Sequence, residues 1–210
     1  MNPTLTLYTN HLYSSPYVLS VYATLYEKGL PFELKTLNLG VGEQLSAPYS
    51  KLSLTSRVPT LVAGDFALSE SSAIIEYLEE AYASPDFVSV FPTDLQHRAK
   101  ARQIQAWVRS DLAELRAERP TSVIYSAKNP KTLSAPAQKA ADKLLRIADT
   151  LIDDQGNPLF GAWCIADVDF SVMLNRLCAN GDTVPLKIRK YVDRQSQRPC
   201  VETWWALAQS

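Results

Sequence analysis

The hydrophobic pattern changes its period once along this chain, within the stretch from Ser84-Pro85 to Phe91-Pro92, and that switch restricts the fold more than any single motif does. Before it, short alternating runs of strand length interleave with helical stripes; after it, every periodic segment is helical. Thr4 to Tyr8 alternates polar and apolar and reads as a strand. Pro16 to Lys28 carries Val18, Leu19, Tyr22, Leu25 and Tyr26 on one helical stripe, with Gly29 as its stop. Phe32 to Leu39 reads as the next strand, and residues 40 to 56 as a loop with short helical turns. Thr60 to Val62 and Phe66 to Leu68 flank Gly64-Asp65, which predicts a hairpin. Ser71 to Tyr82 closes the series as a helix with Ile74, Ile75, Leu78 and Tyr82 on its apolar face. The order β-α-β-loop-β-β-α is thioredoxin-like, and the absence of a GxGxxG or P-loop pattern separates it from nucleotide-binding sheets.

Beyond the switch, Thr93-Asp94-Leu95-Gln96 reads as a capping box, opening a helix expected to run to about Arg119, where Pro120 stops it. Pro130 to Pro136 is expected to be loop. Gln138 to about Asp153 places Leu144, Leu145, Ala148, Leu151 and Ile152 on one face. Ile165 to Ala179 is a third helix, ended by Asn180-Gly181. Leu186 to Gln197 and Val201 to Ala208 follow, separated by Pro199. The expected organisation is therefore a thioredoxin-like α/β domain at 1–83, a linker at 84–92, and an all-helical domain at 93–210.

Composition removes several function classes. The 210 residues carry a formal net charge of −1, with a pI near 6.1, which argues against a nucleic-acid surface. No apolar run approaches the roughly 20 residues that a helical membrane span needs. Leu5 to Tyr8 already reads as strand where a leader would be basic and then apolar, so a cytoplasmic protein is expected. Cys164, Cys178 and Cys200 lie far apart without CxxC spacing, which suits a reducing compartment and argues against a disulfide framework or a zinc site. With only His11 and His97, neither a histidine metal centre nor a Ser-His-Asp triad is expected, and no metal is called for.

Three short pieces in the first 75 residues carry chemistry together that none carries alone. Ser15-Pro16-Tyr17 follows a strand and opens a helix. Arg57-Val58-Pro59-Thr60 opens an apolar run, and Glu70-Ser71 starts another helix. Each has an ordinary reading: a cap with a first-turn proline, a strand end, a helix start with its dipole complemented. Jointly they suit a small γ-glutamyl thiol peptide. The N–H and hydroxyl of Ser71, at a helix N-terminus, match a carboxylate, and Glu70 matches the neighbouring ammonium. A proline after Val58 ends strand pairing, and a cis bond there would free Val58 to pair with the peptide's central residue as an added strand. The Ser15 hydroxyl, beside another helix start, would donate to the sulfur and favour thiolate.

With these residues in view, the whole chain resembles the cytosolic glutathione S-transferase family. Arg57-Val58-Pro59 through Glu70-Ser71-Ser72-Ala73-Ile74-Ile75-Glu76-Tyr77-Leu78 looks like the family's glutathione-site signature, and Ser15-Pro16-Tyr17 resembles its serine-type classes (tau-, theta- and zeta-like). The resemblance implies glutathione as co-substrate, Ser15 as the thiol-activating residue, and Tyr17, Gln44, Arg57, Val58, Pro59, Glu70 and Ser71 as glutathione contacts. Ser14 stays open as the alternative donor, because a theta- or zeta-like register would place the hydroxyl one residue earlier. Trp163 to Asp167 looks like the family's buried capping box in the helical domain, with Cys164 where Ser or Thr is usual. Weaker capping is expected there, with Asp167 structural.

The implied reaction is thiolate attack on a small hydrophobic electrophile, with reduction of organic peroxides by the same thiolate. The electrophile is expected between the domains, near Tyr13, Tyr17, Trp107, Asp111 and Tyr125. Serine at position 15 disfavours the mixed-disulfide chemistry of cysteine-type relatives. Two alternatives remain: glutathione-dependent isomerisation of the maleylacetoacetate type, and a non-catalytic interaction protein on the same fold. The family's usual homodimer is implied as well.

Overall fold

The computed structural model describes residues 4–209, and these divide into two compact units. The first holds the described residues up to Val90 together with Thr203–Ala208; the second runs Phe91–Glu202. In the first unit the elements are β1 (Leu5–Asn10), α1 (Pro16–Glu27), β2 (Phe32–Leu37), α2 (Tyr49–Leu52), β3 (Thr60–Ala63), β4 (Phe66–Ser69) and α3 (Ser71–Ala81). Two single 3-10 turns, Leu39–Val41 and Glu43–Leu45, lie between β2 and α2. The sheet order is β2-β1-β3-β4, with β1 parallel to β2 and antiparallel to β3, and β3 antiparallel to β4. This is the thioredoxin-like order expected from the pattern. Leu5, Leu7 and Leu61 from the sheet, Val18, Leu19 and Leu25 from α1, and Ile74, Ile75 and Leu78 from α3 are all essentially fully buried.

A buried ion pair ties the end of α1 to the chain after α3. The Lys28 ammonium lies 2.8 Å from the Glu79 carboxylate and donates to the carbonyls of Tyr82 (2.8 Å) and Val88 (2.9 Å). Glu79 also accepts from the Ser89 hydroxyl and, at 3.2 Å, from the Val90 N–H. Late in the chain, the Thr203–Ala208 part of the last helix brings Trp204 into this unit, where its ring meets Tyr13 at 5.8 Å and Tyr22 at 5.2 Å.

The second unit is helical: α4 (Leu95–Ser110), α5 (Ala113–Glu118), α6 (Ser122–Tyr125), α7 (Ala135–Leu151), α8 (Ile165–Asn180), α9 (Leu186–Ser196) and α10 (Pro199–Gln209), the last shared with the first unit. Local details differ from the sequence pattern, among them the last helix, which begins at Pro199 itself rather than at Val201. The cap of α4 is Asp94 rather than Thr93, and its carboxylate accepts the His97 N–H at 2.8 Å. Helix α7 starts earlier than expected, because Ser134 caps it and Pro136 fits its first turn, where no N–H is needed. The long helix expected to reach Arg119 breaks after Ser110. Leu112 takes φ +63°, and the Asp111 carboxylate accepts the Leu112 N–H at 2.8 Å, so a short acidic side chain replaces helical bonding at the break.

Helix α8 is the axis of this unit, buried over most of its length. At its start Asp167 is fully buried and accepts from the Cys164 N–H, the Leu159 N–H and the Tyr191 hydroxyl, each at 2.9 Å. The Cys164 side chain faces the Asp167 N–H, so the box closes with a thiol in place of the usual hydroxyl. Burial pushes both the Asp167 carboxyl and the Cys164 thiol above their ordinary ranges.

Candidate active site

One end of the sheet gathers the pieces singled out from the sequence. Tyr8 pairs with Thr60 and Thr60 with Ser69, so β1, β3 and β4 meet in one row. Just beyond that row lie the β1–α1 loop, the approach to β3 through Val58-Pro59, and the passage from β4 into α3 through Glu70-Ser71. Asn10 pairs with Leu37, so the chain leaving β2 toward Gln44 departs from the same end. Strand register alone therefore brings Ser14, Ser15, Val58, Pro59, Glu70 and Ser71 to a common edge.

Ser15 caps α1. Its backbone is extended, Pro16 fills the first turn, and its Oγ accepts the Val18 N–H at 3.4 Å. A hydroxyl that accepts in this way keeps its own hydrogen for donation elsewhere. Ser14 Oγ accepts from Asn10 Nδ2 at 2.9 Å, and the Ser15 N–H donates to Asn10 Oδ1 at 3.2 Å. Tyr13, just before them, has φ +48°. Tyr17 is half-buried in the first turn of α1.

The Val58–Pro59 bond is cis, as the added-strand reading requires. The carbonyl of Arg57 is fixed from three sides, accepting from Tyr49 Oη (2.7 Å), Ser53 Oγ (3.1 Å) and Thr60 Oγ1 (3.2 Å). Burial raises the Tyr49 phenol above its ordinary pKa, which keeps it a hydroxyl donor. The segment before Val58 is thus held by groups behind it, and the Arg57 side chain is exposed. Gln44, in the second 3-10 turn, is half-buried, and its Oε1 is buried without a hydrogen-bond partner among the described residues.

Glu70 is the strained point. It occupies the cap position of α3 with φ +75° and ψ 114°, its side chain is exposed, and it makes no side-chain cap bond. Such a conformation costs about 1–3 kcal/mol in a residue with a Cβ and persists where the surrounding structure enforces it. Ser71, the first residue of α3, is buried. The first turn of this helix therefore lacks the usual side-chain cap, beside a carboxylate held in an uncommon backbone geometry.

The residues expected to meet an electrophile fall in both units. Tyr13 and Tyr17 belong to the first. In the second, Trp107 Nε1 donates to Asp111 Oδ2 at 2.8 Å, and Asp111 is paired with Lys143. Lys143, the Leu112 N–H and the Trp107 indole together pull the Asp111 carboxyl down to about 2. Asp111 is thus engaged in holding the α4–α5 break. Trp107 lines a pocket of about 490 Å3 within the helical unit, with Ile104, Ile147, Leu151, Phe160 and Lys100. Tyr125 is half-buried at the end of α6. Among the described residues no cluster of His, Cys, Asp and Glu is arranged to hold a metal ion.

Sequence reasoning missed Asn10, Tyr49 and Ser53. Each acts on backbone or hydroxyl groups of the motif residues, and nothing in their spacing marked them.

Comparison with known proteins identifies the family. Residues 10–86 match the model of the glutathione S-transferase N-terminal domain, and residues 94–210 match that of the C-terminal domain. The chain belongs to the glutathione S-transferase family. A glutathione transferase homolog from Burkholderia gl BGR1, crystallised with bound glutathione, is 44% identical, with a TM-score of 0.80 over 99% of this chain and 98% of that one. Among curated transferases, mouse theta-3 is 39% identical over 88 residues, 42% of this chain and 36% of the relative. Human theta-1 is 38% identical over 93 residues, 44% and 38% respectively. The matched stretch thus spans little more than a third of these theta transferases. A zeta-class maleyl pyruvate isomerase, at 22% identity and a TM-score of 0.73 over 95% of both chains, shares the transferase fold.

Proposed function

We propose that this glutathione S-transferase family member binds glutathione at the β1–β3–β4 end of its sheet and promotes attack of the peptide's thiolate on a soft electrophile. The observation that carries the reading is Glu70, strained and exposed at an uncapped helix start, on the same sheet edge as Ser15 and the cis Val58–Pro59 bond. In this reading Ser71 and the first turn of α3 hold the γ-glutamyl carboxylate, and Glu70 holds its ammonium. Val58 pairs with the cysteine backbone. Arg57 serves the glycine carboxylate, and the unpartnered Gln44 Oε1 accepts an N–H of the peptide. Tyr17 borders the bound peptide. Ser15 donates to the sulfur, with Ser14 beside it. The homolog crystallised with glutathione, at 44% identity over nearly the whole chain, supports glutathione as the ligand.

Chemically, the thiol proton leaves to solvent and the thiolate forms a carbon–sulfur bond while the leaving group departs with its electron pair. With an organic peroxide, the thiolate takes the terminal oxygen and the O–O bond breaks to release an alcohol. A second glutathione converts the resulting sulfenic acid to disulfide and water. A homodimer in the cytoplasm belongs to the same proposal.

Ser15→Ala tests it, using chlorodinitrobenzene as electrophile. Loss of one hydrogen bond to an anion, about 1.5–3 kcal/mol, should lower kcat/KM roughly 10- to 100-fold. Calorimetric affinity for glutathione should change little, and Ser14→Ala should lose less. Full turnover in Ser15→Ala would remove Ser15 from the mechanism, and a larger loss in Ser14→Ala would transfer the role to Ser14.

A further inference from the structure

The β1–α1 loop contains a side chain that touches both candidate serines. Asn10 is buried at the end of β1, paired through its backbone register with Leu37. The orientation of its amide is fixed by chemistry. The Ser15 N–H is a donor only, so the atom 3.2 Å from it must be the oxygen, which leaves Nδ2 at 2.9 Å from Ser14 Oγ. The backbone carbonyl of Asn10 accepts the Tyr13 N–H at 3.0 Å, closing the loop through the residue held at φ +48°.

The consequence for the two hydroxyls is directional. Ser14 Oγ receives a hydrogen bond from the amide, and Ser15 Oγ receives one from the Val18 N–H. Each oxygen is occupied as an acceptor by a neighbour of its own chain, and each keeps one hydrogen to give. A hydroxyl that already accepts is polarised into a better donor. A carboxylate at position 10 would reverse the Ser14 bond and draw that hydrogen inward.

We propose that Asn10 is a positioning residue for thiol activation, holding Ser14 as an outward donor while fixing the backbone of Ser15, so that two hydroxyls rather than one meet the sulfur. This rests on the reading that glutathione binds at this end of the sheet. Neither serine is thereby redundant. Ser15 carries the larger share as the helix cap, and Ser14 adds a second, amide-directed bond.

A double-mutant cycle between Asn10→Ala and Ser14→Ala tests it, read from the acid limb of kcat/KM for chlorodinitrobenzene at saturating glutathione, which reports the thiol in the enzyme–glutathione complex. The ionisable groups at this end of the sheet, His11, Tyr13, Tyr17, Arg57 and Glu70, stay in place throughout. Asn10→Ala alone should raise that pKa by about half to one unit, the size of one ordinary hydrogen bond. Added to Ser14→Ala, it should raise it by less than it does alone, the remainder reporting the Ser15 backbone. Asn10→Asp, which keeps the acceptor for the Ser15 N–H, should retain the wild-type melting temperature and still raise the pKa, by less in the Ser14→Ala background. Full additivity in the cycle, or a lower melting temperature with an unmoved pH profile, would overturn the proposal. Wild-type protein that binds no glutathione by calorimetry would overturn the site reading along with it, whereas normal binding with an unmoved profile refutes only the role of Asn10.

Discussion

Asp167→Ala should destabilise the helical unit by about 3–5 kcal/mol, since it removes the shared acceptor of two buried donors and one partly buried one. The Cys164 N–H, the Leu159 N–H and the Tyr191 hydroxyl all converge on this carboxylate. Tyr191 is itself fully buried beside Phe170, and α8 packs against α9 through this region, so there is little room for relaxation to admit water. Asp167→Asn keeps one acceptor oxygen and should lose less. Urea unfolding followed by far-ultraviolet circular dichroism reads both variants. A loss under about 1 kcal/mol for the alanine variant would mean that the network is rebuilt by other groups.

Lys28→Met should cost a similar amount in the first unit, about 3–5 kcal/mol at neutral pH, because it leaves the buried Glu79 carboxylate without its cation. In the wild type, burial pushes the Glu79 carboxyl upward, but the bonds from Lys28, Ser89 and the Val90 N–H outweigh it and hold the pKa below the ordinary value. A carboxyl lower in the folded than in the unfolded chain contributes stability that is present above the unfolded pKa. That contribution is lost as pH falls through the folded one. Without Lys28, burial dominates and the carboxyl protonates more easily. The deficit of the variant should therefore be largest near neutrality and shrink as pH drops through the carboxylate range. Lys28→Met with Glu79→Leu should recover most of the loss, and a deficit independent of pH would contradict the ion-pair explanation.

The order of elements in the first unit, the two helix starts and the strand-edge proline were legible because each rests on local chemistry: alternation, a cap before an apolar stripe, a residue without an N–H. The break at Asp111 was not, since Leu112 is held in the left-handed region beside a bond from its N–H to Asp111, whose partner Lys143 lies far along the chain. Thr93 and Asp94 both fit the residue preference for a cap, and one step of register, which the sequence does not encode, makes it Asp94. Trp204 belongs with the first unit through ring contacts to Tyr13 and Tyr22, a long-range return that no periodicity encodes. In the candidate site the motif residues could be named in advance. The side chains that aim them, Asn10, Tyr49 and Ser53, could not, because hydrogen bonds to backbone and hydroxyl groups leave no spacing to read.

The ultraviolet absorbance of glutathione thiolate, titrated against pH in complex with wild-type protein and with Ser15→Ala, bears most directly on the chemistry assigned to the sheet edge. In the wild-type complex the bound thiol should ionise about one to two units below free glutathione, the equivalent of one charge-assisted hydrogen bond, and Ser15→Ala should return most of that difference. Bound glutathione that ionises like the free peptide, or a shift that survives the loss of both Ser15 and Ser14, would contradict it.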